Sequence, residues 1–348
     1  MTFIPTSIQQ IDRAWFAAAI GPDVSDAQIV KVIHGTATKV KVDLVYSDER
    51  KQTVWVKTGL EPHSRSIGND RVYAGETFFY RNFNGKYETR TPRCLFADTD
   101  QHGNSAIVME DLEQQGATFV DAALAGSPDL IARGLEAIAR YQAASWMDPE
   151  LDRNDYLRSG GSYDTADVLG WLWNEAHWTD YAKRQRFQAL APELRDRRLL
   201  HRAHATLRRD WRMREPWSLS HGDAHFGQLY TLPGGEARLL DWQCCQLAHW
   251  AYDVSYFLIS GLSVADRRAC ARDLLSQHVM HLRELGVRAA PSADAAYEAF
   301  RAYALHGIGW CMCMVEMQPE DICTAMTERF SSAIVDLTSV DIVLNKAS

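Results

Sequence analysis

The chain has 348 residues, 46% apolar and 24% charged, the make-up of a soluble globular protein long enough for two lobes that each bury a core. Its net charge of −8 argues against nucleic acid or an anionic membrane as a partner, because both select a basic surface. The seven cysteines form no Cys-x-x-Cys pair, so reduced thiols in a cytoplasmic protein are expected rather than a structural zinc.

The opening residues, Met1 to Pro5, do not lead a basic stretch into an apolar one, so no signal peptide is expected, and no run has the length of a membrane span. Ile8, Ile11, Trp15, Phe16 and Ile20 recur at helical spacing until Gly21-Pro22 stops the pattern. The period then changes. Val40, Val42, Leu44 and Tyr46 alternate with mostly polar residues, as in a half-buried strand. Ser47-Asp48-Glu49-Arg50 reads as a turn and Thr53-Val54-Trp55-Val56-Lys57 as the returning strand. A polar, glycine-containing loop is expected from Gly59 to Asp70, then a helix over residues 71–83, and an apolar strand over Ser105 to Met109.

Beyond Leu112 the texture is mainly helical. Ile131, Leu135 and Ile138 mark a core-facing helix that runs to about Trp146. Residues 218–242 break the pattern: apolar runs at Leu229-Tyr230 and Leu239-Leu240 flank Pro233-Gly234-Gly235, which predicts a loop and hairpin set into a helical region. Ser263 can cap a helix over residues 264–285, with Asp266 as a weak capping partner. Its stripe is Cys270, Leu274, Leu275, Val279 and Leu282, and Gly286 stops it. The expected division is a lobe of residues 1–112 and a second of residues 113–348.

The residues that carry chemistry cluster in His221-Gly222-Asp223-Ala224-His225-Phe226-Gly227-Gln228 and Leu239-Leu240-Asp241-Trp242. Phosphoryl transfer from ATP needs a carboxylate to orient or deprotonate the acceptor hydroxyl, and oxygen ligands for a magnesium ion that bridges the phosphates. Asp223 on an irregular loop, the amide oxygen of Gln228 and Asp241 at a strand end can supply that set. The same His221-x-Asp223-x-His225 also fits a fragment of a zinc cluster, or a purely structural loop. In the N-terminal part, Lys57 ends an apolar strand, where a buried ammonium is costly unless paired. A phosphate and a carboxylate are its natural partners, and Glu76 on the following helix can be the carboxylate; a solvated strand edge is the other reading. Gly35-Thr36-Ala37-Thr38-Lys39 precedes a strand, and Gly35 with the Thr36 and Thr38 hydroxyls can approach phosphates. It is not a Walker A loop, and on its own it is only a turn.

On the His-Gly-Asp loop and the hydrophobic pair before Asp241, the chain resembles the aminoglycoside phosphotransferase and choline-kinase-like superfamily, in particular its ecdysteroid-kinase-like branch. The resemblance spans about Gly35 to Asp253. It implies an α+β, protein-kinase-like fold: a small antiparallel-sheet N-lobe with one helix over a larger, mainly helical C-lobe. It further implies a small-molecule kinase that moves the γ-phosphoryl of MgATP to a hydroxyl of a small molecule. Asp223 would be the catalytic base, His221 would hold its loop, Asp253 would support that loop from the next helix, and Asp241 with Gln228 would bind Mg²⁺. Lys57 and Glu76 match the kinase lysine–glutamate pair, and Glu110 and Leu112 fall where backbone groups contact adenine, although Glu110 and Asp111 equally fit surface charges. The family has asparagine where this chain has Gln228. That departure, with the glycine-poor turn at Gly35, keeps open an alternative: a nucleotide-binding pseudokinase acting as sensor or scaffold.

Overall fold

The computed structural model describes residues 2–66, 70–162 and 170–345. The first lobe is built on a five-stranded antiparallel sheet in the order β1-β2-β3-β5-β4, with β1 Val24–Ile33, β2 Thr38–Tyr46, β3 Lys51–Thr58, β4 Cys94–Thr99 and β5 Ser105–Glu110. One face of β2 is apolar, and Val40, Val42 and Leu44 on it are fully buried against Trp15 and Phe16. These two belong to helix α1 (Arg13–Ala19), which starts where the Asp12 carboxylate accepts a hydrogen bond from the Trp15 amide at 2.8 Å.

Two strands of this sheet were not expected from the sequence. β1 is an edge strand whose residues past Val24 are exposed or half-buried, and every residue of β4 is half-buried. Neither strand therefore carries the alternation that marks one buried face. The loop expected from Gly59 to Asp70 contains a short helix, α2 (Pro62–Ser66), and its residues 67–69 lie outside the described residues. Helix α3 (Asp70–Phe83) follows as expected. It packs on the turn Trp242–Cys244 of the other lobe, with Phe79 stacked on Trp242 at 4.5 Å between ring centroids. Gly75 makes that approach possible. A Cβ there would lie 2.1 Å from Ser162 Oγ and 2.2 Å from the Gln243 carbonyl, so no larger residue fits without moving α3 off the turn.

The second lobe is helical: α4 (Pro128–Ala144), α5 (Arg197–Thr206), α6 (Ala251–Gly261), α7 (Val264–Glu284), α8 (Ala293–Tyr303), α9 (Glu320–Asp336) and α10 (Ser339–Asn345), with shorter helical turns between α4 and α5. α6 is buried along its whole length and is packed by α4, α8 and α9. α7 begins where Ser263 Oγ accepts from the Asp266 amide at 3.0 Å and ends before Gly286, which takes a left-handed φ of 98°. Two small sheets carry the chemistry-bearing loops. β7 (Trp217–Ser220) pairs with β10 (Gln246–His249), and β6 (Thr118–Phe119), β8 (Leu229–Thr231) and β9 (Ala237–Leu239) form a three-stranded sheet that includes the expected hairpin. Residues 221–228 therefore link β7 to β8, and Asp241 stands just past β9.

Candidate active site

A buried charged cluster joins both lobes. Lys57 Nζ donates to Glu76 Oε2 and to Asp241 Oδ1, each at 2.6 Å, and to Gln243 Oε1 at 3.3 Å. Lys57 is 6% exposed and Glu76 1%, so the charges stand only because they are paired. Burial opposes the Lys57 charge, but Asp241 and Glu76 outweigh it and hold the ammonium above its ordinary value. Burial pushes the Glu76 carboxyl up against the pull of Lys57. At Asp241 burial also opposes the charge, yet Lys57 and Lys39 together hold the carboxyl below the usual carboxylate range. Asp241 adopts a left-handed φ of 64°, a conformation that costs a non-glycine residue about 1 kcal/mol and aims its carboxylate at Lys57.

The 221–228 loop is held from beneath by Asp253. Its Oδ1 accepts from Ser220 Oγ at 2.8 Å and from the Gly222 amide at 3.0 Å. Its Oδ2 accepts from the His221 amide at 2.7 Å and from the Tyr141 hydroxyl at 2.8 Å. Gly222 turns the chain with φ at 80°, and a Cβ there would sit 2.0 Å from the Cys244 carbonyl. His221 is fully buried. Its Nδ1 accepts from the Asp223 amide at 3.3 Å, which leaves the proton on Nε2, 2.6 Å from the Leu240 carbonyl. Both ring nitrogens are thus committed, so the ring has no lone pair for a zinc ion, and burial holds it neutral by lowering its pKa. His221 joins the Asp223 loop to the residue before Asp241.

Asp223 is half-buried beside Gln228, whose Nε2 lies 3.5 Å from Asp223 Oδ2, at the outer limit of a hydrogen bond. Tyr256 of α6 lies near enough to the same carboxylate for the two groups to interact electrostatically. Burial, then the Asp241 charge, pushes the Asp223 carboxyl well above the usual range, against the pull of Tyr256 and Gln228.

A cavity of about 360 Å³ opens between the lobes over these groups. Of the residues singled out from the sequence, Lys57, Glu76, Glu110, Leu112, Gln228 and Asp241 line it. Gly35, Thr36 and Thr38 do not. The Gly35 carbonyl accepts from His63 Nε2 at 2.8 Å, the Thr36 carbonyl from Ser64 Oγ at 2.7 Å and from the Tyr73 hydroxyl, and Thr38 Oγ1 donates to the buried Glu61 at 2.6 Å. The turn is tied to α2 instead of facing the cavity. Asp111 is 4% exposed, paired with Lys41 at 2.9 Å and accepting from Trp55 Nε1 at 3.1 Å, so it is not a surface charge. Lys39 and Met109, which the sequence offers only as the ends of the turn at Gly35 and of the hinge segment Met109–Leu112, line the cavity, as does Trp55, and Tyr256 lies near Asp223; the sequence gives neither of these two a site role. Strand register was the missing signal: β2 and β3 place Lys39 opposite Lys57, and β3 and β5 place Trp55 opposite Met109, all on the face toward the cavity.

A small antiparallel sheet over a helical lobe, with a lysine–glutamate pair above and an Asp-bearing loop below the cleft, is the protein-kinase-like architecture of phosphotransferases. A sequence profile of the phosphotransferase enzyme family (APH) matches residues 76–300, more than half of the chain. The chain belongs to that family. The match is to the family as a whole and does not single out the ecdysteroid-kinase-like branch. Among solved structures, an ethanolamine kinase from Plasmodium vivax is similar at 15% identity, with 94% of this chain and 88% of that one covered and a TM-score of 0.56. The choline kinase LicA from Streptococcus pneumoniae is similar at 12% identity, with 94% and 97% covered and a TM-score of 0.52. A structure of LicA in complex with AMP gives 12% identity, 94% and 97% coverage and a TM-score of 0.51. At such identities the likeness establishes the fold. A search of curated protein sequences returns no significant match.

Proposed function

We propose that the protein transfers the γ-phosphoryl group of ATP to a hydroxyl of a small molecule, with Asp223 as the base and Asp241 and Gln228 as the magnesium ligands. One observation carries this reading: Lys57, Asp241 and Gln228, drawn from segments up to 184 residues apart, line a single cavity with Asp223 hydrogen-bonded alongside. In the transfer, the acceptor oxygen bonds to the γ-phosphorus while the bond to the β–γ bridging oxygen breaks. ADP leaves, and the hydroxyl proton passes to an Asp223 carboxylate oxygen.

The residues present fit magnesium. Asp241 offers a carboxylate to the cavity, and the amide nitrogen of Gln228 turns to Asp223, which leaves its oxygen for a cation. Among the described residues no group of three or more His, Cys, Asp or Glu forms a metal cluster. Two protein oxygens completed by substrate phosphates and water is the way magnesium is held at nucleotides. Magnesium there neutralises phosphate charge. His221 acts as a positioning residue: it stays neutral and ties the Asp223 loop to Leu240. Glu110 and Leu112 stand at the end of the cavity formed by the chain after β5, where adenine would bind, with Trp55 and Met109 beside them. The lobes would divide between Leu112 and Glu113, where β5 gives way to a short helical turn whose N-cap is Asp111.

No described helix is long and apolar enough to cross a membrane, and all seven cysteines are free, which fits a cytoplasmic enzyme. The test is transfer of labelled γ-phosphate from ATP to a panel of hydroxyl compounds, by wild type and by Asp223→Asn. Transfer by wild type that is lost in Asp223→Asn supports the enzyme. Magnesium-dependent ATP binding with no transfer to any acceptor supports the sensor or scaffold instead.

A further inference from the structure

Resting on the phosphotransferase reading above, we propose that Lys39 is the ammonium that receives the terminal phosphates of the nucleotide, in place of the Gly35–Thr38 turn. Three observations lead to it. First, an ammonium has three N–H donors, and those of Lys57 already meet Glu76, Asp241 and Gln243. Lys57 holds the carboxylates in place and has no further donor for a phosphate in this arrangement.

Second, the turn that precedes β2 does not line the cavity. Its two carbonyls are capped by His63, Ser64 and Tyr73, and the Thr38 hydroxyl is spent on Glu61, which also meets His34 Nδ1 at 2.8 Å. A glycine-rich loop presents backbone amides to phosphates; this one is held through the Gly35 and Thr36 carbonyls and the Thr38 hydroxyl to Glu61, His63, Ser64 and Tyr73.

Third, Lys39 is placed where the phosphates must lie and has nothing else to do there. In the antiparallel register Ile33, Lys39, Lys57 and Ile107 form one row across β1, β2, β3 and β5. Lys39 and Lys57 are therefore direct cross-strand neighbours on the cavity face, an arrangement of like charges that is unfavourable unless an anion offsets it. Asp241 and Glu76 attract Lys39 from a distance, but no hydrogen bond or ion pair reaches its ammonium among the described residues. Its side chain is exposed to the cavity, and crowding by the cleft walls, with Lys57 next, lowers its pKa. A polyphosphate entering beside Asp241 would relieve the Lys39–Lys57 repulsion and find a free donor set.

The experiment is calorimetric titration of adenosine, AMP, ADP and ATP, each with Mg²⁺, into wild type, Lys39→Gln and Lys39→Arg. Because Lys39 is exposed, the variants should fold, and a circular dichroism melt checks this. Charge-assisted hydrogen bonds predict that Lys39→Gln weakens ATP about tenfold or more, with adenosine and AMP within about twofold of wild type, and that Lys39→Arg restores most of the loss. Wild-type ATP binding matched within about twofold by Lys39→Gln overturns the proposal while leaving the phosphotransferase reading intact. An equal loss for adenosine overturns it too, since it assigns Lys39 a role in shaping the cleft. A wild type that binds no ATP defeats the functional reading, and this inference falls with it.

Discussion

Asp253→Asn is the sharpest test of how the 221–228 loop is held, because it changes one buried atom and nothing in volume. The Asp253 carboxylate accepts four hydrogen bonds, two on each oxygen, and is 1% exposed. Asparagine has one acceptor oxygen, so in either orientation its NH₂ faces one pair of donors. The Ser220 or Tyr141 hydroxyl in that pair can rotate to accept. The backbone N–H of His221 cannot, and it is left buried without a partner, while that of Gly222 keeps only its 3.1 Å bond to Ser220 Oγ. That orphan costs about 1–3 kcal/mol, and the surviving bonds lose their charge assistance, so the expected loss of stability is about 3–5 kcal/mol. Because those amides flank Asp223, the loop should also drift, and a displacement near 1 Å costs about 10²-fold in rate. Urea unfolding and the initial rate of phosphate transfer measure the two effects. A variant within about 1 kcal/mol of wild type and within about threefold in rate would refute the account of Asp253 as the anchor of this loop.

Three further substitutions or conditions probe the same framework. Gly222→Ala combines a left-handed φ of 80° with a Cβ at 2.0 Å from the Cys244 carbonyl; it should cost about 3 kcal/mol or more and cut transfer sharply, read by the same two assays. Glu76→Gln leaves Lys57 paired with Asp241 alone and should cost about 3 kcal/mol, at the low end for breaking a buried pair, seen as a drop in the urea midpoint. Acid should destabilise the protein early. Burial pushes His204, His249 and His278 each down to about 3, so between roughly pH 6.5 and 3 the unfolded chain binds protons that the fold refuses. Stability is therefore full above about pH 6.5 and falls as pH drops, with a slope near 4 kcal/mol per pH unit around pH 5 from these three groups. A urea midpoint unchanged between pH 6.5 and 5 would contradict their burial as neutral rings.

The parts of this fold that the sequence reveals are those where one face meets a core. Val40, Val42 and Leu44 show β2 because the opposite positions are polar, and the stripe from Leu274 to Leu282 shows α7 for the same reason. β1 hides because it is an edge strand with little to bury, and β4 because its residues are uniformly half-buried. The site divides along similar lines. Asp223, Gln228, Asp241 and Asp253 sit in short motifs whose chemistry is local, and they are readable in order along the chain. Lys39 occupies an outward position of an alternating strand, which in sequence is indistinguishable from a solvated face. Only the register opposite Lys57 gives it meaning. Tyr256 lies in a helix buried on every side, so no stripe singles it out. The Gly35–Thr38 turn shows the converse: its hydroxyls are visible in sequence, but the Thr38 hydroxyl is turned to Glu61, and Ser64 holds the Thr36 carbonyl, some 25 residues away.

The arrangement around Lys57 also explains how a site built from distant segments stays assembled before any nucleotide arrives. Glu76 belongs to the same lobe as Lys57, and Asp241 to the other, so one ammonium bridges the cleft. Breaking either contact strands a charge at a buried position, where desolvation makes an unpaired ion far more costly than at the surface. α3 reinforces the tie from behind, since Gly75 lets it lie against the Gln243 carbonyl and Phe79 stacks on Trp242, the residue next to Asp241. Opening the cleft would therefore have to break a charged contact and an aromatic stack together. Under the proposed function, a nucleotide would meet Asp241 already oriented by Lys57 rather than ordering it on arrival. The strained left-handed backbone of Asp241 is held by its partners, so under the proposed function the binding energy of the phosphates would be left for positioning the reacting groups.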